Sequence, residues 1–188
     1  SREVHEASRT HYRNFDKDFL SIRSSDSVFN QAYQWALVSV DKFFCHTPSL
    51  GKSMMSGYWT TSRGWNGGHA VSGRPGYAWY FGRDTGWTGI AMTAYGDYEK
   101  VKEVLTTSGK HQSPDGKVYH ELTTSGSVHY DASDATPLYL VLAGNYLRKS
   151  GDVAFIRSQW PHIKKALSFC YSTDTDRDGL IENTNVGH

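Results

Sequence analysis

The sequence predicts an all-α domain, and three observations lead there. Apolar residues recur at helical spacing in five stretches, roughly 26–44, 84–95, 98–108, 134–149 and 152–170. Tight breakers (Gly96-Asp97 and Gly151-Asp152) join four of these into two helical hairpins. A polar, aromatic-rich loop precedes each hairpin. The chain has 188 residues, of which 38% are apolar and 21% charged, enough for one core and too apolar for a disordered chain.

Residues 1–25 are polar, with Phe15, Phe19, Leu20 and Ile22 as scattered anchors, and read as an N-terminal arm or linker. Residues 26–188 form the folded unit. Asp26 is placed to cap the first long helix, whose apolar positions are Val28/Phe29, Ala32, Trp35/Ala36, Val40 and Phe43/Phe44. Gly51 to Gly76 reads as one long glycine-rich loop carrying Tyr58, Trp59, Trp65 and His69; loops of that length are usually functional.

Asp84 or Thr85 is expected to start the next helix, with Trp87, Ile90/Ala91 and Ala94 on its buried face, and Tyr98, Val101 and Val104/Leu105 mark its partner. Pro114-Asp115-Gly116 signals a turn, and Val118 to Leu122 is a short strand or irregular segment. Ser133 or Asp134 caps the following helix, which carries Pro137 in its first turn and Leu138, Val141/Leu142 and Tyr146 on its apolar face. Asp152 caps the last, where Pro161 is expected to interrupt the helix or start its second half.

A formal net charge of +1, with no basic stripe, gives no electrostatic case for nucleic acid or an anionic membrane. No apolar run is long enough to span a bilayer, so a soluble protein is expected. The first residue is Ser1 rather than methionine, which suggests a cut chain and leaves localisation unknown. Cys45 and Cys170, each in a helical stretch, read as buried thiols. There is no Ser-His-Asp or Cys-His set, no phosphate-cradling loop and no i, i+4 histidine pair for zinc, so no cofactor is expected.

The chemistry concentrates in Trp79-Tyr80-Phe81-Gly82-Arg83-Asp84-Thr85. Aromatic faces suit sugar C–H groups, Arg83 donates, Asp84 accepts, and a pair of that kind reads neighbouring hydroxyls. His120-Glu121 offers an acid or base, and Asp131 and Asp134 beside His129 and Tyr130 are more carboxylate than a helix cap requires. Asp174-x-Asp176-x-Asp178-Gly179 has the first half of a calcium loop, although Asn185 stands where the bidentate glutamate belongs.

The order of these motifs resembles the (α/α)6-barrel glycosidases. The nearest likeness is to the glucosidase domain of glycogen debranching enzymes (amylo-α-1,6-glucosidase-like), with glucoamylases as more distant relatives. It is carried by Trp79 to Thr85, Gly116 to Glu121, Tyr130 to Leu138 and Asp176 to Glu182, over residues 26–188. The resemblance implies a partial (α/α)6 toroid, about five of twelve helices, from the first half of a barrel. It implies a −1 subsite in which Arg83 and Asp84 bind sugar hydroxyls, Trp79 and Tyr80 line the pocket, and His120, Glu121 and Asp134 stand around the mouth. It also implies inversion by two separated carboxyl groups. Glu182 is the acid that the glucoamylase pattern indicates, whereas the debranching-type pattern puts the acid a little further along, beyond His188; the base lies in the barrel's other half, so the 188 residues alone are expected to be inactive on α-glucan-like sugars. Exposed half-barrel faces imply association into a homo-oligomer. Two other classes fit the motifs: a non-catalytic helical carbohydrate-binding or scaffold module, and a calcium-binding helical protein built on Asp174, Asp176 and Asp178.

Overall fold

The computed structural model describes residues 2–57 and 77–182, and these are mainly helical. Six α-helices, α1 (Arg2–Asn14), α2 (Ser27–Phe43), α3 (Gly82–Tyr95), α4 (Tyr98–Lys110), α5 (Ala135–Ser150) and α6 (Val153–Thr173), are accompanied by two small antiparallel sheets. One pairs β1 (Phe44–Thr47) with β2 (Gly51–Met54); the other runs β3 (Tyr80–Phe81), β4 (Glu121–Leu122), β5 (Val128–His129). Tyr58, Trp59, Trp65 and His69 lie outside the described residues.

The two hairpins form where the breakers require. Gly96 and Gly151 both take left-handed φ at helix C-termini, and Asp97 and Asp152 cap the helices that follow. α3 and α5 then run parallel, because their contacts stay in step. A Cβ added at Gly82 would meet that of Ala135, at Gly86 that of Leu138, and at Gly89 the end of Leu142, all within 3 Å. α4 and α6 are also in step: Tyr98 donates to the Lys149 carbonyl near the start of α6, and Gly109 packs on His162. The N-termini of α3 and α5 and the C-termini of α4 and α6 therefore share one end of the molecule. The core between the hairpins holds Met92, Val101, Val104, Leu105, Leu142 and Tyr146, all at most 1% exposed.

Several expectations are corrected. α3 buries Gly82, Thr85, Gly86, Gly89, Met92, Thr93 and Tyr95, while Trp87 is 61% exposed and Ala91 and Ala94 face solvent. Close approach to α5 is possible only on the side-chain-poor face, so Gly82, Gly86 and Gly89 go in against α5 and Trp87 stays out. α2 likewise turns Val28, Phe29 and Trp35 outward and buries Leu37, with Tyr33 and Val40 beside it. Val141 and Leu167 are exposed too.

The N-terminal arm carries a helix, α1, and a one-turn 3-10 helix at Phe15–Lys17. The start of the long loop is a strand, β2, and Cys45 lies in β1 rather than in a helix. α6 continues through Pro161 without a break. Cys45 and Cys170 are both half-buried thiols. No helix among the described residues is long and apolar enough to cross a membrane.

Candidate functional site

Of the expected site residues, Arg83, Asp84, His120, Glu121 and Asp134 meet at the shared helix end, around the β3–β4–β5 sheet. Phe81 pairs with Glu121, and Glu121 with His129. The Gly82 amide donates to the His120 carbonyl at 2.9 Å, which ties the start of α3 to β4. Gly82 must be glycine here, since a Cβ would lie 2.2 Å from the Tyr119 carbonyl oxygen. The next two residues, Arg83 and Asp84, emerge exposed in the first turn of α3.

Neither carboxylate at these helix ends caps its helix. α3 begins after Phe81 with no side-chain cap, and Asp84 stands inside its first turn. Asp134 occupies the N-cap position of α5 but makes no capping bond; its Oδ2 accepts from Arg83 Nε instead. A cap is worth about 1 kcal/mol, so both helices forgo a stabilising contact. The Asp134 hydrogen bond first, and the nearby charges of Asp134 and Asp84 after it, hold the guanidinium still more firmly protonated than usual. Asp134 Oδ1 is buried and, among the described residues, has no hydrogen-bond partner.

Two imidazole–carboxylate pairs stand beside this ion pair. His120 Nδ1 lies 2.6 Å from Asp131 Oδ1, and His129 Nδ1 lies 2.9 Å from Glu121 Oε2. A carboxylate only accepts, so Nδ1 carries the proton in each ring. Burial pushes the Asp131 carboxyl up, but the hydrogen bond and charge of His120 outweigh it and hold the group below the usual carboxylate range.

The aromatic residues behave differently from expectation. Tyr80 is fully buried, and its hydroxyl pairs with Thr47 Oγ1 at 2.8 Å and reaches the Cys45 carbonyl at 3.1 Å. It locks the central sheet to β1–β2 and does not line a pocket. Trp79 is 3% exposed and stacks on Phe81 at 6.1 Å, and Phe81 meets His120 edge-on at 5.7 Å. The two rings back the mouth from beneath.

Glu182, the acid that the glucoamylase pattern indicates, is bonded to its own loop. Its carboxylate accepts from the Thr175 amide at 3.0 and 2.9 Å and from the Asp176 amide, and the Thr175 bond first of all holds it below its usual range. In the same loop Asp174, Asp176 and Glu182 bring ligand atoms within 4.8 Å of one another, with Asp178 outside the group. These carboxylates serve the loop's own backbone: Gly179 donates to Asp174, Asp178 to Asp176, and Leu180 to Asp178. Asn185 lies outside the described residues.

Asp131 is expected as a carboxylate beyond what a cap requires and His129 as its neighbour, but their pairing with His120 and Glu121 is not. Their alternation against His120 and Glu121 across a short turn was the signal that they pair. Compared with family models, with curated proteins and with solved structures, the chain finds no match.

Proposed function

We propose that the shared helix end is a sugar-binding subsite in an (α/α)6-type glycoside hydrolase unit that acts on α-glucan-like carbohydrate. The observation that carries this reading is the pair of uncapping carboxylates around Arg83. Asp134 gives up its cap to orient the guanidinium, and its second oxygen is left in need of a donor. Asp84 is exposed beside it. Local rules broken without local benefit mark functional sites. The unused capacity is acceptors on Asp84 and Asp134 and donors on Arg83, the set that vicinal hydroxyls satisfy.

Charge supports a neutral ligand. Arg83 has two carboxylates beside it, Asp134 and Asp84, so an anionic ligand there meets an excess of carboxylate. The parallel α3/α5 and α4/α6 pairs support the toroid, in which successive hairpins stack in one orientation with their loops at one mouth. In this reading the outward apolar residues of α2, α3 and α6 pack against further hairpins. The bond-breaking carboxylates belong to those hairpins, since Glu182 is set up as a loop staple.

The test is an amide-resolved NMR titration with maltose and isomaltose, alongside an assay for glucose release from limit dextrin. The expected result is shifts confined to Arg83, Asp84, His120, His129 and Asp134, without hydrolysis by these 188 residues. Unchanged spectra at tens of millimolar of both sugars would remove the carbohydrate reading.

A further inference from the structure

The N-terminal helix raises a physical question that the mouth does not answer. α1 has thirteen residues, nearly all exposed and polar, and a helix of that length is marginal in water on its own. What holds it lies at its C-terminal end, on the side of the molecule opposite the mouth.

There, three groups converge on one carboxylate. His11 Nε2 and the Tyr12 hydroxyl reach Asp41 Oδ2 at 2.9 and 3.0 Å. Lys100 reaches Asp41 Oδ1 at 3.1 Å and also bridges to Asp97. The Lys100 ammonium sits 5.5 Å from the ring centres of both Phe15 and Phe19 and 5.8 Å from that of Phe44. Phe19 in turn meets Tyr95 edge-on. Asp41 on α2 thus keys α1 to the turn between α3 and α4.

The apolar contact of the strap is confined to Phe15 and the rings against it. Three surface hollows of about 230, 210 and 350 Å³ follow the seam: one between Leu20–Arg23 and α2, one between Tyr12–Phe15 and Leu37, and one between His11, Phe19 and Lys100. The attachment is therefore a polar latch around one aromatic anchor, Phe15, which is buried, with surface hollows along the rest of the seam.

We infer that α1 through Phe19 is a strap that detaches as one unit when the Asp41 charge is removed, uncovering Phe44, Tyr95 and Lys100 while both hairpins stay folded. The charged and titratable groups around Asp41 are His11 and Tyr12 from the strap, Tyr95 from α3, and Lys100 with its partner Asp97 from the α3–α4 side, with Lys42 over the Tyr12 ring and Asp18 on the rim. Burial raises the Asp41 carboxyl, but hydrogen bonds from His11 and Lys100 outweigh it and hold it below the usual range. The strap is closed at neutral pH and opens in acid.

Hydrogen exchange read by mass spectrometry on Asp41→Asn tests this. The expected result is exchange about tenfold faster or more across residues 2–19, the loss of one hydrogen bond to a charged group, with α4 and α5 unchanged. No acceleration in 2–19 would overturn the strap. If Asp41→Asn loosens every helix, the double variant His11→Ala with Tyr12→Phe decides, because it keeps the Asp41–Lys100 pair. Acceleration confined to 2–19 supports the strap, and a uniform or absent effect overturns it.

Discussion

Asp134 stands at the N-cap of α5 and gives its carboxylate to Arg83 of α3 rather than to its own helix. The pair joins the N-termini of two parallel helices at the point where the ligand is proposed to sit. Asp134→Asn keeps a residue that caps well and removes the charge. The half-exposed ion pair contributes little stability, about 0–1 kcal/mol, so thermal unfolding should barely move. Sugar affinity should fall about tenfold, the loss of one charge-assisted hydrogen bond. A large drop in melting temperature with unchanged affinity would make the pair structural.

Gly82→Ala should be costly. Its Cβ would lie 2.2 Å from a backbone oxygen and 2.8 Å from the Ala135 side chain, and neither neighbour can rotate away. Overpacking of that kind costs about 1–3 kcal/mol. Denaturant unfolding measures it, and sugar binding should weaken with it because Arg83 is displaced from Asp134.

Tyr80→Phe separates scaffold from ligand contact. The hydroxyl pairs with Thr47 and reaches the Cys45 carbonyl from a fully buried ring. Its removal should cost about 1 kcal/mol and leave sugar affinity unchanged. Loss of affinity with full stability would return Tyr80 to the pocket.

Acid should loosen the mouth. The folded Asp131 carboxyl titrates below its unfolded value, so the His120–Asp131 pair contributes its stability above the usual carboxylate range. That contribution is lost as pH falls through the lowered, folded value. His120→Gln removes this part of the acid dependence, and comparing melting temperatures of the two proteins at neutral pH and in acid reads it.

The helices and their stops were legible because single residues encode them. Asp26 accepts from the Val28 and Phe29 amides as a cap should, and Gly96 and Gly151 close α3 and α5 in the left-handed region. The inward face of α3 was not legible. Hydropathy marks Trp87, Ile90 and Ala94, whereas the packing uses the absence of side chains at Gly82, Gly86 and Gly89.

Strands β1 and β2 were hidden at a helix end and in a glycine-rich loop, and they are held by α4: Thr107 donates to the Lys52 carbonyl, and Lys110 to those of Ser49 and Leu50. Arg83, Asp84, His120, Glu121 and Asp134 were legible as chemistry. Which carboxylate caps and which one orients Arg83 depends on the α3–α5 approach, and no local pattern carries that.

The most direct test is a calorimetric titration of maltose into the native chain and into Asp84→Ala. Asp84 is exposed and, among the described residues, has no hydrogen-bond partner, so its removal leaves the fold intact. The account predicts binding to the native protein and a loss of about tenfold or more in the variant, with identical melting curves. Equal affinity in both, or none in either, would contradict it.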